Sequence, residues 1–308
     1  MKTKKTNRYG NGLKKFGLCA FTAALISVNV CQPYIYPVYA DDVQEESSAQ
    51  AEIETMYIST VDDFLEFAAN CYIDSWSVNK KIVLRNNLDF TGRELVMVPV
   101  FAGEFDGNGH TISGIDFTGE SYVTAIFRYV EENGVIDSLN VKGNIAALDE
   151  QECVGGIVGS NYGTIKNCSF EGTVNGKNTI GGIAAFNKST GVIKKCEVRG
   201  RITGSYYTGG ITGINHGIIN NCANAAGIND DSAWVESEDE NSSNIIGNIT
   251  GNESSSIRSG IDTGGISGFS DGIIASCNNS GQVGYEHVGY NIGGIAGRQS
   301  GIILSCVN

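Results

Sequence analysis

Cysteine is the residue whose type and spacing suggest chemistry most directly in this chain of 308 residues. Five of its nine cysteines follow an isoleucine by three positions, and each of the five lies in one copy of a repeated sequence motif. Such thiols could form disulfides in an oxidising compartment, but equivalent cysteines on stacked strands point the same way, whereas a disulfide needs facing Cβ vectors. We therefore favour a file of free thiols that pack as small hydrophobic groups. These cysteines are Cys168, Cys196, Cys222, Cys277 and Cys306.

Metal-binding patterns are missing from the sequence. A zinc peptidase helix carries His-Glu-x-x-His, and a structural zinc site uses closely spaced cysteine pairs. The three histidines, His110, His216 and His287, are far apart, and no Cys-x-x-Cys pair occurs. The acidic run at 230–240 lacks the ligand spacing of a calcium loop. We predict no metal site and no cofactor.

One turn, which holds Asp106 and His110, combines residue types that acid–base catalysis uses. Its Asp-Gly-Asn-Gly sequence is more typical of a tight turn. A glycosidase also needs two carboxylates at a defined separation, and the sequence does not establish such a pair. We therefore predict no catalytic residue and no catalytic activity in residues 1–308.

Tyrosines precede the repeated Gly-Gly-Ile in several copies. Exposed tyrosine rings stack on sugars or anchor a protein partner, although these rings could instead pack over the glycines of their own loops. We predict that they contact a host or cell-surface glycan or protein. The residues concerned are Tyr206, Tyr207, Tyr285 and Tyr290.

The amino terminus and the net charge predict where the protein acts. Residues 1–40 have a basic start, an apolar run at 16–30 and small residues up to Ala40, which is typical of a bacterial signal peptide. A retained anchor is the alternative, but the run is shorter than the roughly 20 residues of a spanning helix. The net charge of −13 disfavours nucleic acid and anionic membranes. We expect a secreted or cell-surface protein, with membrane contact only through the signal peptide.

The elements that position these side chains are encoded in the repeat. Each copy contains three short β-branched pieces separated by glycine, which predicts strands. Stacking three-strand coils about 4.8 Å apart gives an all-β, right-handed, three-sided parallel β-helix. Its isoleucines should form one internal file, parallel to the file of cysteines. They are Ile157, Ile183, Ile211, Ile266 and Ile295.

The remaining segments flank or interrupt the repeat. Residues 41–56 are acidic and predict a flexible linker, and residues 57–79 predict an amino-terminal cap with a short helix. The β-helix should occupy 80–308, with an irregular insertion at 225–259, where one step between copies is close to two periods. Because no closing strand follows the last copy, we expect the natural chain to continue beyond Asn308.

Two stretches resemble known families. The sequence FAGEFDGNGHTISGIDF at 101–117 resembles the opening coil of pectin-lyase-like β-helices, and the Gly-Gly-Ile copies resemble the GLUG repeat. That repeat occurs in bacterial adhesin-like proteins and in the N-terminal region of IgA-specific zinc metalloendopeptidases. The resemblance implies a surface binding, adhesion or spacer module. The alternatives are the non-catalytic N-terminal region of such a peptidase, or a polysaccharide-lyase-like enzyme.

Overall fold

The computed structural model describes residues 53–119, 121–147, 153–230, 261–284 and 289–308. The predicted signal peptide, most of the predicted linker, Tyr285 and the greater part of the predicted insertion lie outside these ranges. The described residues fall in one compact unit, Gln50–Asn308.

Four parallel sheets and one helix make up the described structure. We number the sheets in the order in which the chain crosses them within one coil. Sheet I contains β7 (Val123–Thr124), β11 (Cys153–Gly155), β15 (Thr179–Gly181), β19 (Tyr206–Gly209), β24 (Ile261–Gly264) and β28 (Tyr290–Gly293). Sheet II contains β4 (Val98–Phe101), β8 (Phe127–Val130), β12 (Val158–Asn161), β16 (Ala184–Asn187), β20 (Thr212–Asn215), β25 (Ser267–Ser270) and β29 (Ala296–Gln299).

The other two sheets complete each coil. Sheet III contains β1 (Glu54–Ile58), β2 (Lys80–Leu84), β5 (Glu104–Asp106), β9 (Val135–Asp137), β13 (Thr164–Lys166), β17 (Val192–Lys194), β21 (Ile218–Asn220), β26 (Ile273–Ala275) and β30 (Ile302–Leu304). Sheet IV contains β3 (Leu88–Asp89), β6 (Thr111–Gly119), β10 (Asn140–Ala147), β14 (Ser169–Asn175), β18 (Glu197–Thr203), β22 (Ala223–Asn224), β23 (Gly227–Ile228) and β27 (Asn278–Asn279). The helix is α1 (Val61–Asn70).

The predicted all-β parallel solenoid is confirmed, with about seven turns. The repeat coils from β11 to β27 each cross four sheets, rather than having the predicted three strands, because the Gly-Gly pair ends one strand before the next begins. At Gly155 an added Cβ would lie 1.9 Å from the carbonyl oxygen of Val158, and at Gly156 it would lie 2.1 Å from that of Gly182. The chain therefore turns sharply at a point that only glycine can occupy.

Repeated apolar side chains fill the interior in files. The Ile157, Ile183, Ile211 and Ile266 side chains are fully buried, and Ile295 packs against the same core in the last coil. The backbone N–H of Ile157 donates to the carbonyl of Ile183 at 3.0 Å, and Ile183 donates to Ile211 in the same way. Because one coil cannot bury its own apolar face, each gains its core from its neighbours.

A polar file runs beside the apolar ones, at the ends of the sheet II strands. The side-chain amide of Asn161 donates to the Asn187 oxygen at 2.8 Å, and Asn187 donates to Asn215 at the same distance. Asn215 then donates to the Ser270 hydroxyl at 3.0 Å. These side chains are buried, and the hydrogen bonds give each amide nitrogen of the file an acceptor, without which its burial would be costly.

The amino-terminal cap begins earlier than its predicted boundary. Strand β1 starts at Glu54, inside the segment interpreted as a linker, because its Met56 and Ile58 pair with Ile82 and Leu84 of β2. The predicted short helix follows as α1. Its Phe64 and Phe67 are buried in the core of the first coils.

The long step between repeat copies is one coil, not nearly two. Gly209 pairs directly with Gly264, so the additional residues lie between two successive strands of one coil. The solenoid also continues into the segment predicted as irregular: Ala226 and Ile228 are buried, and Ile228 pairs with Ile202. Residues 231–260 lie outside the described ranges.

Candidate functional site

Two of the predicted tyrosines share one register position on sheet I. Tyr206 pairs with Ile261, and Ile261 pairs with Tyr290. The two tyrosines are 40% and 50% exposed. They therefore stand on the outside of the solenoid two coil steps apart, with a shorter side chain between them.

A third tyrosine, Tyr122, extends this line although sequence reasoning missed it. Val123 pairs with Cys153, and Cys153 pairs with Thr179. Tyr122, one residue before Val123, therefore occupies the same register position three coil steps before Tyr206, and it is 55% exposed. We call Tyr122, Tyr206 and Tyr290 the tyrosine column.

Tyr207, also predicted to bind, points elsewhere. Its φ of 41° places it in the left-handed region, as do the φ values of 55° at Asp262 and Asn291 in the coils that follow. The Tyr207 ring contacts the Phe269 ring edge-on, with centroids 6.4 Å apart. The structure thus directs Tyr207 into the seam between sheets I and II and leaves Tyr206 on the surface.

This seam is held by a charged cluster. Arg298 Nε lies 3.2 Å from Asp262 Oδ2, whose side chain is only 3% exposed, and the Asn291 amide donates to Asp262 Oδ1 at 2.6 Å. The Arg298 guanidinium also covers the Phe269 ring at 4.6 Å. The arginine compensates the buried carboxylate, and the cluster links β28, which carries Tyr290, to β24 and β29.

The turn residues weighed for catalysis are engaged separately. Asp106 Oδ1 accepts the Asn108 N–H at 2.9 Å, and Asp106 Oδ2 lies 3.4 Å from Lys81 Nζ. His110 Nδ1 is 3.3 Å from Asn87 Oδ1. Elsewhere, His216 Nδ1 lies 2.7 Å from Asp271 Oδ1, at an exposed position. Within the described ranges, no three His, Cys, Asp or Glu side chains are grouped as metal ligands.

The repeat cysteines form a buried file beside the isoleucines. Cys168, Cys196, Cys222 and Cys277 are at most 2% exposed, and all seven cysteines of the described residues are free thiols. The backbone N–H of Cys196 donates to the sulfur of Cys222 at 3.5 Å, and Cys222 donates to Cys277 likewise. The hydrogen bond between the Cys196 and Cys168 side chains, followed by that with Cys222 and by burial, raises the pKa of Cys196. These thiols are packing groups.

The outer faces of sheets III and IV differ from that of sheet I. Ion pairs link successive coils there: Lys142 to Glu171 at 2.8 Å on sheet IV, and Lys166 to Asp137 at 3.0 Å on sheet III. Such exposed pairs stabilise the fold only slightly. The aligned exposed aromatic rings are a feature of sheet I. In the part of the chain that the structure describes, no helix has the length and apolar character needed to cross a membrane.

Comparisons with known proteins agree with the repeat and the fold. The family model of the GLUG motif matches residues 150–175. Over 85 residues, the chain is 38% identical to "Halomucin" of Haloquadratum walsbyi, a match that covers 27% of this chain and 1% of that protein. It is 35% identical over 74 residues to a "Putative Gly-rich membrane protein" of Evansella cellulosilytica, which covers 23% of this chain and 8% of that protein. The matches thus span a small fraction of these relatives.

A solved structure resembles most of this chain in fold. It is described as the crystal structure of a "putative immunoglobulin A1 protease" from Bacteroides ovatus. The TM-score is 0.56 and the identity 16%, and the match covers 82% of this chain and 74% of that one. At this identity the likeness shows the fold alone. The chain therefore combines a GLUG motif with a β-solenoid of a kind found in that protein.

Proposed function

We propose that this chain is the binding module of a secreted or cell-surface protein, in which the solenoid presents a row of aromatic side chains to a partner. The tyrosine column carries this proposal. Three exposed tyrosines, separated by 84 residues at each interval, share one register position. Exposed rings on a stiff scaffold are well suited to contact because little conformational entropy is lost when they bind.

A spacer role alone does not account for this surface. A rod that only separates two domains needs a packed core and a soluble exterior, which the buried files and the ion pairs of sheets III and IV already supply. Exposed tyrosines add nothing to that task. The signal-like residues 1–40 support export, and a relative described as a membrane protein supports a location at the cell surface.

The test is a binding screen of the purified full chain on a glycan array and on an array of extracellular proteins. We expect binding that the double substitution Tyr206→Ala/Tyr290→Ala abolishes. Tyr72→Ala is the matched control, because Tyr72 is 69% exposed but follows α1 and lies outside the column. If the wild-type chain binds nothing, or the double variant binds equally well, the module is a spacer and the proposal is wrong.

A second function, as the non-catalytic region of an immunoglobulin-directed peptidase, draws support from the similarity to the Bacteroides ovatus structure. In this version the solenoid would contact the immunoglobulin while a catalytic domain elsewhere cleaves it. Human immunoglobulin A1 therefore belongs on the protein array, with immunoglobulin G as the control. Selective binding of immunoglobulin A1 would support this function, and equal or absent binding would contradict it.

A further inference from the structure

We propose that the tyrosine column binds an extended, uncharged glycan, whose sugar rings stack on Tyr206 and Tyr290 and, in a longer chain, on Tyr122. This inference rests on the proposed binding function and names the class of ligand.

The spacing of the column is the first argument. Paired strands are about 4.8 Å apart, so Tyr206 and Tyr290 are separated by about 10 Å and Tyr122 and Tyr206 by about 14 Å. Both intervals are whole numbers of coil steps, two and three in the register of sheet I. One ring of an extended, equatorially linked glycan has nearly the length of one coil step. A glycan that lies along the solenoid axis therefore places a ring near each tyrosine, and either face of a ring with equatorial substituents carries C–H groups that can stack.

An extended peptide fits the column less well. Side chains on one face of a β-strand repeat about every 6.6 to 6.8 Å, so two repeats come close to the interval of about 14 Å but no whole number of repeats matches the interval of about 10 Å. A peptide strand also gains most of its affinity by adding to a sheet edge, whereas these tyrosines stand on a sheet face. Nucleic acid is disfavoured by the net charge of −13.

The surroundings of the tyrosines suit a flat, hydroxyl-bearing ligand. Ile261 lies between Tyr206 and Tyr290 and is only partly exposed, so it leaves a shallow apolar floor between the two rings. The half-buried Asn178 precedes Tyr206 in the column and offers an amide to sugar hydroxyls. The face of a sugar ring that carries C–H groups packs on an aromatic ring, and the hydroxyls at its rim seek polar partners.

Local charge favours an uncharged glycan over an acidic one. The guanidinium of Arg298, in the adjacent seam, is paired with Asp262 at 3.2 Å, and Arg201 is paired with Asp230 at 3.1 Å. Neither cation is available to an acidic sugar without loss of an existing partner. The exposed Lys177 stands beside Tyr206, whose N–H donates to the Lys177 carbonyl at 2.9 Å. One such amine is too little to attract a polyanion to so acidic a protein.

The column is also held rigid. The Tyr206 strand pairs with its neighbours on both sides, and the next residue, Tyr207, is fixed in the seam against Phe269. A preorganised row of rings binds an extended polymer without first ordering a loop. Each additional ring that reaches a tyrosine should therefore increase the affinity.

The experiment is calorimetric titration of the full chain with cello-oligosaccharides and chito-oligosaccharides, from monosaccharide to hexasaccharide, and with a uronic-acid polymer at low and high salt. We expect the affinity to rise with length, and a single Tyr206→Ala or Tyr290→Ala substitution to weaken hexasaccharide binding by about tenfold. Tyr290→Phe should retain binding, because stacking needs the ring rather than the hydroxyl. Tyr72→Ala should also bind as the wild type does.

Three outcomes would overturn the inference. The first is equal affinity for monosaccharide and hexasaccharide, and the second is unchanged hexasaccharide binding in the Tyr206→Ala/Tyr290→Ala variant. The third is a chain that binds only uronic-acid polymers and releases them at high salt. If a protein on the array binds through these tyrosines while no oligosaccharide does, the glycan inference fails and the binding function remains. If neither binds, both proposals fail.

Discussion

The first coils and the repeat coils solve the same packing problem in opposite ways. The amino-terminal coils are filled by aromatic side chains from different elements, and the Phe67 ring alone lies within 6.4 Å, between centroids, of five others. From Cys153 onward, identical isoleucines, cysteines and asparagines are stacked in files. In the first region a side chain packs against residues from several elements, whereas in the second it packs mainly against its equivalents in adjacent coils.

This difference predicts how each region responds to change. In the amino-terminal region one ring serves helix α1 and several strands, so its loss should affect all of them together. In the repeat region a side chain contacts mainly the equivalent residues of the two adjacent coils, so its loss should have a local and nearly additive effect. Substitutions in the two regions can therefore test this difference.

The largest effect should come from Phe67→Ala. Phe67 is buried against Phe101, Phe105 and Phe127, and truncation of a buried phenylalanine costs about 3–5 kcal/mol of unfolding free energy. Urea unfolding followed by circular dichroism measures the loss. Ile183→Val, in the middle of the repeat files, should cost only about 0.5–1.5 kcal/mol. Equal losses in the two variants would remove the distinction between the regions.

Asn187→Ala should have an intermediate effect. The Asn187 amide accepts from Asn161 and donates to Asn215, so its removal leaves two buried amides without these partners. The Asn161 amide keeps the Gly163 carbonyl as an acceptor, so the expected loss is about 1–3 kcal/mol, for the Asn215 oxygen that loses its donor. The matched control is Asn220→Ala, because Asn220 lies on an exposed position of sheet III. Similar stabilities of the two variants in urea unfolding would show that the asparagine file contributes nothing.

A small effect, similar to that of Ile183→Val, should come from the helix cap. The Thr60 hydroxyl accepts the Asp63 N–H at 3.2 Å, and Asp63 Oδ2 accepts the Ser59 and Thr60 N–H groups at 2.8 and 2.9 Å. Thr60→Ala should therefore cost about 1 kcal/mol. Thermal unfolding near neutral pH, with wild type as reference, measures it, and an unchanged midpoint would contradict the role of the cap.

The same cap should respond to pH. The Ser59 N–H, followed by the Thr60 N–H and hydroxyl, holds the pKa of Asp63 below its ordinary value. A carboxylate of this kind stabilises the fold above its ordinary pKa and loses that effect as the pH falls through the lowered, folded-state pKa. The stability difference between wild type and Asp63→Asn should shrink on acidification. A difference that stays constant would contradict this.

The solenoid could be predicted because the sequence pattern that encodes one coil recurs along the chain. Gly-Gly-Ile and the isoleucine before each cysteine recur in five copies, at steps of 26 to 29 residues apart from one of 55, and only stacked coils bury them all. The fourth strand was missed because Gly155 and Gly156 were counted within one piece, whereas the close approach of Val158 and Gly182 makes them a corner. Similarly, the acidic composition of 41–56 gave no sign of strand β1, which is stabilised by its pairing with β2, a strand distant in sequence.

The site was less predictable than the fold. The tyrosines were found from their place before Gly-Gly-Ile, but the left-handed backbone at Tyr207, which turns its ring into the seam, depends on neighbours in other coils. Tyr122 was missed because its copy is one residue shorter at the corner: Val158 pairs with Phe127, and Val154 with Thr124. Only the strand register aligns it with the others.

Because Gly209 pairs directly with Gly264, the length of the solenoid is not proportional to the number of residues in the chain. Fifty-five residues advance the rod by the same rise as the 26 between Gly155 and Gly181. The length of the solenoid therefore depends on its number of coils. Residues inserted between two glycine corners do not displace the coils that follow along the axis. Duplication of one repeat would lengthen the solenoid by one coil, whereas an insertion between two strands of a coil would leave its length unchanged.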